Sequence, residues 1–199
     1  ELTESCSHLG RRPKMTIEDM YVDIINIGRI FGIEDRAEAL VESYRARVAE
    51  ATKKIDRSRR LQVFVYDSGE DAPFTAGDTG MPTALIEAAG GRNIMDDVAK
   101  SWTEVAWEPV VERNPELIVI VDYGDVTAEQ KIAFMKSNPA FAEMDAVRND
   151  RFTVLSYVEA TSNCRTRPRS SIARRRLTTI LEPGRRCMRV GLQPLQTRI

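Results

Sequence analysis

Leu117-Ile118-Val119-Ile120-Val121 is an unbroken apolar run in which every residue after the first is β-branched. A run of this kind suits a strand covered on both faces, as in a parallel α/β sheet, because a strand with one wet face would alternate with polar residues. Asp122-Tyr123-Gly124-Asp125 ends it. Downstream, the spacing predicts a helix over 127–136, a second short helix over 139–144 and a strand over 152–157. Upstream, Leu61-Gln62-Val63-Phe64-Val65-Tyr66 reads as a strand stopped by Asp67-Ser68-Gly69. A loop then runs to Thr79, a helix covers 81–89, and Gly90-Gly91 supplies a residue free to take positive φ. A polar loop through Trp102 and a short helix over 103–113 lead back to the apolar run. Strand and helix thus alternate, which implies right-handed crossovers and helices on both faces of the sheet. The fold class is α/β, a three-layer sandwich with a mostly parallel sheet.

Two helices precede this unit. Thr16 followed by Glu18 and Asp19 makes a helix start, and Ile17, Met20, Tyr21, Ile24, Ile27, Ile30 and Phe31 recur at helical spacing up to Gly32. A second helix over 34–55 gathers Ala37, Leu40, Val41, Tyr44, Val48, Ala51 and Ile55 on one face.

The formal net charge of -1 hides a split. From Ser162 onward there are ten Arg, no Lys, no Asp and the single acid Glu182, which leaves 19 basic against 29 acidic residues before it. An acidic body argues against nucleic-acid binding through the domain itself. The stretch 162–199 has no sustained apolar period and is assigned no fold.

The residues offer little catalytic chemistry. The one histidine, His8, lies outside the α/β body, so a serine or cysteine triad has no imidazole there. Cys6, Cys164 and Cys187 have no zinc-ligand spacing and imply no disulfide framework, so no metal site is assigned. Gly77-Asp78-Thr79-Gly80 fits neither a phosphate loop nor a dinucleotide fingerprint, and no cofactor is expected. Asp67, Glu70, Asp71, Asp78, Asp96 and Asp97 read as solvated loop acids, with a metal-dependent module or small α/β enzyme as the alternative. What remains is binding. Ligands of open α/β sheets sit beyond the carboxyl ends of the strands, and the loops there carry Phe74, Trp102, Trp107, Tyr123 and Tyr157. Large flat side chains bury much ligand surface with few rotatable bonds. Trp107 reads as a core residue of its helix, whereas cleft and core positions stay equally open for Trp102.

These segments resemble the helical-backbone (class III) periplasmic binding proteins, which serve ABC importers of ferric siderophores, haem and cobalamin. The resemblance rests on Leu61-Gln62-Val63-Phe64-Val65, on Phe74-Thr75-Ala76-Gly77, on Leu85-Ile86-Glu87-Ala88-Ala89-Gly90-Gly91-Arg92-Asn93-Ile94, and on Ser101-Trp102 through Glu108 to Leu117-Ile118-Val119. It implies a long connecting helix within 16–58, a C-terminal α/β lobe over 59–161, and a remnant of the N-terminal lobe over 1–15. It further implies that Phe74, Thr75, Gly77 and Trp102 face ligand, and that Glu108 docks to an arginine of the permease. Charge-assisted contacts of that kind are directional and reversible. The expected function is solute binding and delivery without catalysis. Its partners are a ferric siderophore, haem or cobalamin-type ligand and an ABC permease, and its place is periplasmic or at the outer cell surface, held there by the permease or a lipid anchor. The first lobe is expected before Glu1. The stretch 162–199 departs from the family's closing helix and reads as a shifted reading frame, with a phosphate-binding basic arm as the alternative.

Overall fold

Residues 14–160 are described by the computed structural model. The expectations placed on 162–199, and most of those placed on 1–15, lie outside the described residues. Six strands run through this region: β1 (Gln62–Tyr66), β2 (Phe74–Ala76), β3 (Arg92–Asn93), β4 (Trp102–Glu104), β5 (Leu117–Asp122) and β6 (Phe152–Ser156). The helices are α1 (Ile17–Ile30), α2 (Glu34–Thr52), α3 (Met81–Ala88), α4 (Trp107–Glu112), α5 (Ala128–Ser137), α6 (Asp145–Arg148) and α7 (Tyr157–Ala160), with a 3-10 turn at Pro139–Phe141.

Four strands form one all-parallel sheet in the order β3-β1-β5-β6. The central strand β5 pairs Val63 with Leu117 through Tyr66 with Ile120 on one side, and Ile118 with Phe152 through Asp122 with Ser156 on the other. Its even residues, Ile118 and Ile120, join Phe64, Tyr66, Val110 of α4, Met135 of α5 and Phe141 in one core. Its odd residues, Val119 and Val121, join Val63, Val65, Ala76, Ile86 of α3 and Ala160 of α7 in another. Both faces are covered, and burying each such side chain contributes about 1.5–3 kcal/mol. The unbroken apolar run is therefore required by the layering.

Several boundaries differ from expectation, each for a tertiary reason. Phe74–Ala76, expected as loop, is a strand because Trp102–Glu104 lies beside it antiparallel, with Phe74 opposite Glu104 and Ala76 opposite Trp102. The helix expected from Thr103 consequently begins only at Trp107. Arg92–Asn93, expected in a polar loop, extends the sheet beside β1. The helix expected over 139–144 is only a 3-10 turn over Pro139–Phe141, and a separate short helix, α6, follows it from Asp145. The last strand ends at Ser156, so Tyr157 opens a helix instead of closing a strand. Gly90 does take positive φ, 78°, and a Cβ there would overlap the Ile55 side chain.

Helices α1 and α2 pack on each other through Tyr21, Gly28, Ala37 and Val41. Thr16 caps α1 in a reciprocal capping box with Asp19. Only part of each expected apolar stripe is covered: Ile27, Ile30, Phe31 and Leu40 remain exposed. Among the described residues no helix is long and apolar enough to cross a membrane.

Candidate functional site

Because all four strands of the main sheet run parallel, the carboxyl ends of β1, β5 and β6 share one edge. From β1 the chain turns through Asp67 and returns as β2, held by the Asp67 amide donating to the Phe74 carbonyl at 3.1 Å and the Phe74 amide to the Ser68 carbonyl at 2.8 Å. Trp107 closes the turn from the side, its indole Nε1 donating to the Glu70 carbonyl at 2.6 Å. Its ring packs against Phe141, Tyr66 and Phe64 at centroid distances of 4.5, 5.4 and 6.0 Å, the core position expected from its place in a helix. Tyr66 beneath the turn is deeply buried, and burial, with Glu70 and Asp67 nearby, pushes its phenol up to about 12.

The candidate aromatics fall into two pairs. Phe74 and Trp102 stack across β2 and β4, centroids 5.9 Å apart and planes 12° from parallel. Both are half-buried, and Trp102 also packs on the core beneath. Tyr123, just after β5, stacks on Tyr157, just after β6, at 4.3 Å and 26°. These two rings are 54% and 44% exposed, enough to offer flat surface to a ligand.

Thr75 and Gly77, expected to face ligand, lie in the interior. Thr75 is wholly buried and its hydroxyl donates to the Val65 carbonyl at 2.6 Å, tying β2 to β1. A Cβ at Gly77 would overlap the Val98 and Lys100 carbonyls, so glycine there permits close backbone packing. Asn93 and Thr83, which the sequence did not single out, brace the same segment. The Asn93 amide donates to the Ala76 carbonyl and to the Thr83 hydroxyl, both at 2.7 Å, and Thr83 donates to the Gly77 carbonyl at 2.6 Å. Asn93 Oδ1 accepts from the Met95 amide at 3.1 Å, so the buried network is satisfied.

Lys131 is another residue missed from sequence. It is 2% exposed on α5, and its ammonium donates to the Val121 carbonyl at 2.7 Å and the Tyr123 carbonyl at 3.0 Å. Burial lowers its pKa from the ordinary lysine value, against the opposing pull of Asp67 and Asp122. A polar sequence surrounding gives no hint of such burial; a lysine four residues past a helix cap ordinarily reads as solvated.

Glu108 stands apart from the aromatic pairs, exposed in the first turn of α4, with no ion pair or hydrogen-bond partner among the described residues. Acidic side chains are favoured at that end of a helix. Of the loop acids, Asp96 and Asp97 are held by Arg92 and Arg113 in two-pronged contacts, which pull both carboxyls below the usual range. Asp67 is buried and accepts from the Ser68 hydroxyl at 2.8 Å. Among the described residues no group of three or more acids, histidines or cysteines converges as a metal site.

Comparison with known proteins places the fold among solved structures. A periplasmic binding protein from Veillonella parvula shares 35% identity and a TM-score of 0.70, covering 76% of this chain and 53% of that one. An ABC-type Fe3+-hydroxamate transport protein from Saccharomonospora viridis shares 28% identity and a TM-score of 0.69, covering 81% and 56%. A cobalamin-binding protein of Halobacterium salinarum is 31% identical over 127 residues, 61% of this chain and 34% of that one. The chain therefore spans about half the length of the solved relatives and a third of the curated one. The model of the periplasmic binding protein family matches residues 2–157, the two N-terminal helices and all six strands included, and the chain belongs to that family.

Proposed function

We propose that this chain is the C-terminal lobe and connecting helix of a non-catalytic solute-binding protein of an ABC importer. In this reading it acts outside the cytoplasm and binds a ferric siderophore, haem or cobalamin-type ligand. The carrying observation is the pair of aromatic stacks, Phe74 with Trp102 and Tyr123 with Tyr157, at the carboxyl edge of a parallel sheet. Ferric chelates and corrinoids are bulky, with much flat or apolar surface, and half-exposed stacked rings meet such surface at little entropic cost. The hydroxamate and cobalamin relatives support the same ligand class. Phe74, Trp102, Tyr123 and Tyr157 touch ligand, Thr75 and Gly77 support them from beneath, and Glu108 meets a cationic group on the permease.

Titration of the chain with a ferric trihydroxamate, haemin and cyanocobalamin, followed by tryptophan fluorescence, tests this. One of the three should quench saturably, with a Kd of about 1 μM or weaker, since one lobe supplies only part of the contacts and desolvation. Trp102→Phe should remove most of the quench. No saturable response to any of the three, or an unchanged quench in Trp102→Phe, overturns the ligand assignment.

A further inference from the structure

We propose that Lys131 is a positioning residue of the binding edge: by holding the Val121 and Tyr123 carbonyls it fixes the Tyr123 ring against Tyr157. Strand β1 ends opposite Ile120, one residue before Val121, so the end of β5 projects beyond β1, while β6 stays beside it with Val121 opposite Leu155 and Asp122 opposite Ser156. From there the chain passes through Tyr123, Gly124 at a φ of 80°, Asp125 and Val126 to the cap of α5. All four of these residues are exposed, and the segment has no core side chain of its own to hold it. A mobile backbone at Tyr123 would dissolve the stack, because the attraction between two half-exposed rings is too weak to order a loop by itself.

Both ends of the segment are fixed. Val121 is wholly buried in the sheet, and Ala128 and Met135 seat α5 on the core. Thr127 and Gln130 lock the start of the helix in a reciprocal capping box. Lys131 fixes the first residue of the segment, Tyr123. Burying an ammonium is unfavourable unless hydrogen bonds replace its hydration, and a Met or Leu would fill the same volume without that cost. Here the charge is directed at two backbone oxygens, one of them the carbonyl of the aromatic residue itself, with Asp67 and Asp122 favouring the charged form.

The functional meaning of this clamp rests on the ligand-binding role proposed above, so its test has one readout that needs no ligand. The chain is labelled with 3-fluorotyrosine, and its five tyrosine resonances are assigned by single Tyr→Phe changes. Lys131→Met should move the Tyr123 and Tyr157 signals while leaving Tyr21 and Tyr44 in place, and Lys131→Gln, which keeps two N–H donors, should restore them in part. The affinity for whichever probe the wild type binds should fall roughly tenfold in Lys131→Met and recover partly in Lys131→Gln. Unmoved Tyr123 and Tyr157 signals in a folded variant overturn the proposal. Failure of both variants to fold also overturns it, because a clamp on one segment leaves the sheet intact. If the signals move as expected while the wild type binds none of the probes, the clamp stands and the ligand assignment fails.

Discussion

The Phe74 and Trp102 rings lie 12° from parallel with centroids 5.9 Å apart, joined across two short strands that are otherwise held by few backbone bonds. The stack thus contributes to the pairing of β2 with β4 as well as to the exposed edge. Trp102→Ala should cost about 1–2 kcal/mol, the sum of lost half-burial and ring stacking, and abolish measurable ligand quenching. Trp102→Phe should keep most of the stability. Thermal unfolding of the two variants separates these contributions, and equal losses in both would contradict a stacking role.

Asn93 braces β2 from within by serving three partners, so its removal leaves the Ala76 carbonyl, the Thr83 hydroxyl and the Met95 amide short of a bond. An unsatisfied buried polar group costs about 1–3 kcal/mol. Asn93→Ala should therefore destabilise by about 3 kcal/mol, and Asn93→Asp by at least as much, because a carboxylate offers no donor to two acceptors. Urea unfolding measures both; a loss below about 0.5 kcal/mol, the scale of an ordinary surface change, is inconsistent with the network.

Burial, with Glu70 and Asp67 nearby, pushes the Tyr66 phenol up to about 12 in the folded chain, from 10.0 for an unperturbed tyrosine. A folded pKa above the unfolded one means that the native state holds its proton longer. The associated stability is fully present below pH 10 and is lost as pH rises towards 12. Tyr66→Phe should flatten this alkaline loss. The lowered pKa of Lys131 acts with the opposite sign, but it is common to both proteins and cancels in the comparison. Thermal midpoints between pH 9 and 12 give the answer, and parallel curves would exclude Tyr66 as the source.

Glu108 is exposed and unpartnered among the described residues, so its replacement should leave the domain intact. Glu108→Ala is expected to change stability by less than about 0.5 kcal/mol and to leave ligand affinity unaltered. Glu108→Lys should lower ligand-dependent transport or permease association more than Glu108→Ala does, because it places like charges together. Equal transport in wild type and Glu108→Lys would remove the docking role.

Long, strongly patterned elements were legible in the chain. The run from Leu117 to Val121 announced a doubly covered strand because burial on both faces suppresses polar alternation, and Thr16 announced a helix start through local capping chemistry. The short strands β2, β3 and β4 were not legible. Two or three residues carry no period, and their pairing depends on partners distant in sequence, as Phe74 depends on Glu104.

The same division separates the parts of the candidate site. The sequence by itself determined the fold class, the family likeness and the aromatic character of the carboxyl edge, since these depend on residue type and local spacing. Only the tertiary structure decided that Phe74 stacks on Trp102 and Tyr123 on Tyr157, and that Thr75 and Gly77 turn inward. It also decided that Asn93 and Lys131 are buried. Hydrogen bonds to backbone carbonyls leave no trace in composition: whether a lysine is solvated or clamps a loop depends on which carbonyl oxygens the fold brings within its reach, as at Val121 and Tyr123.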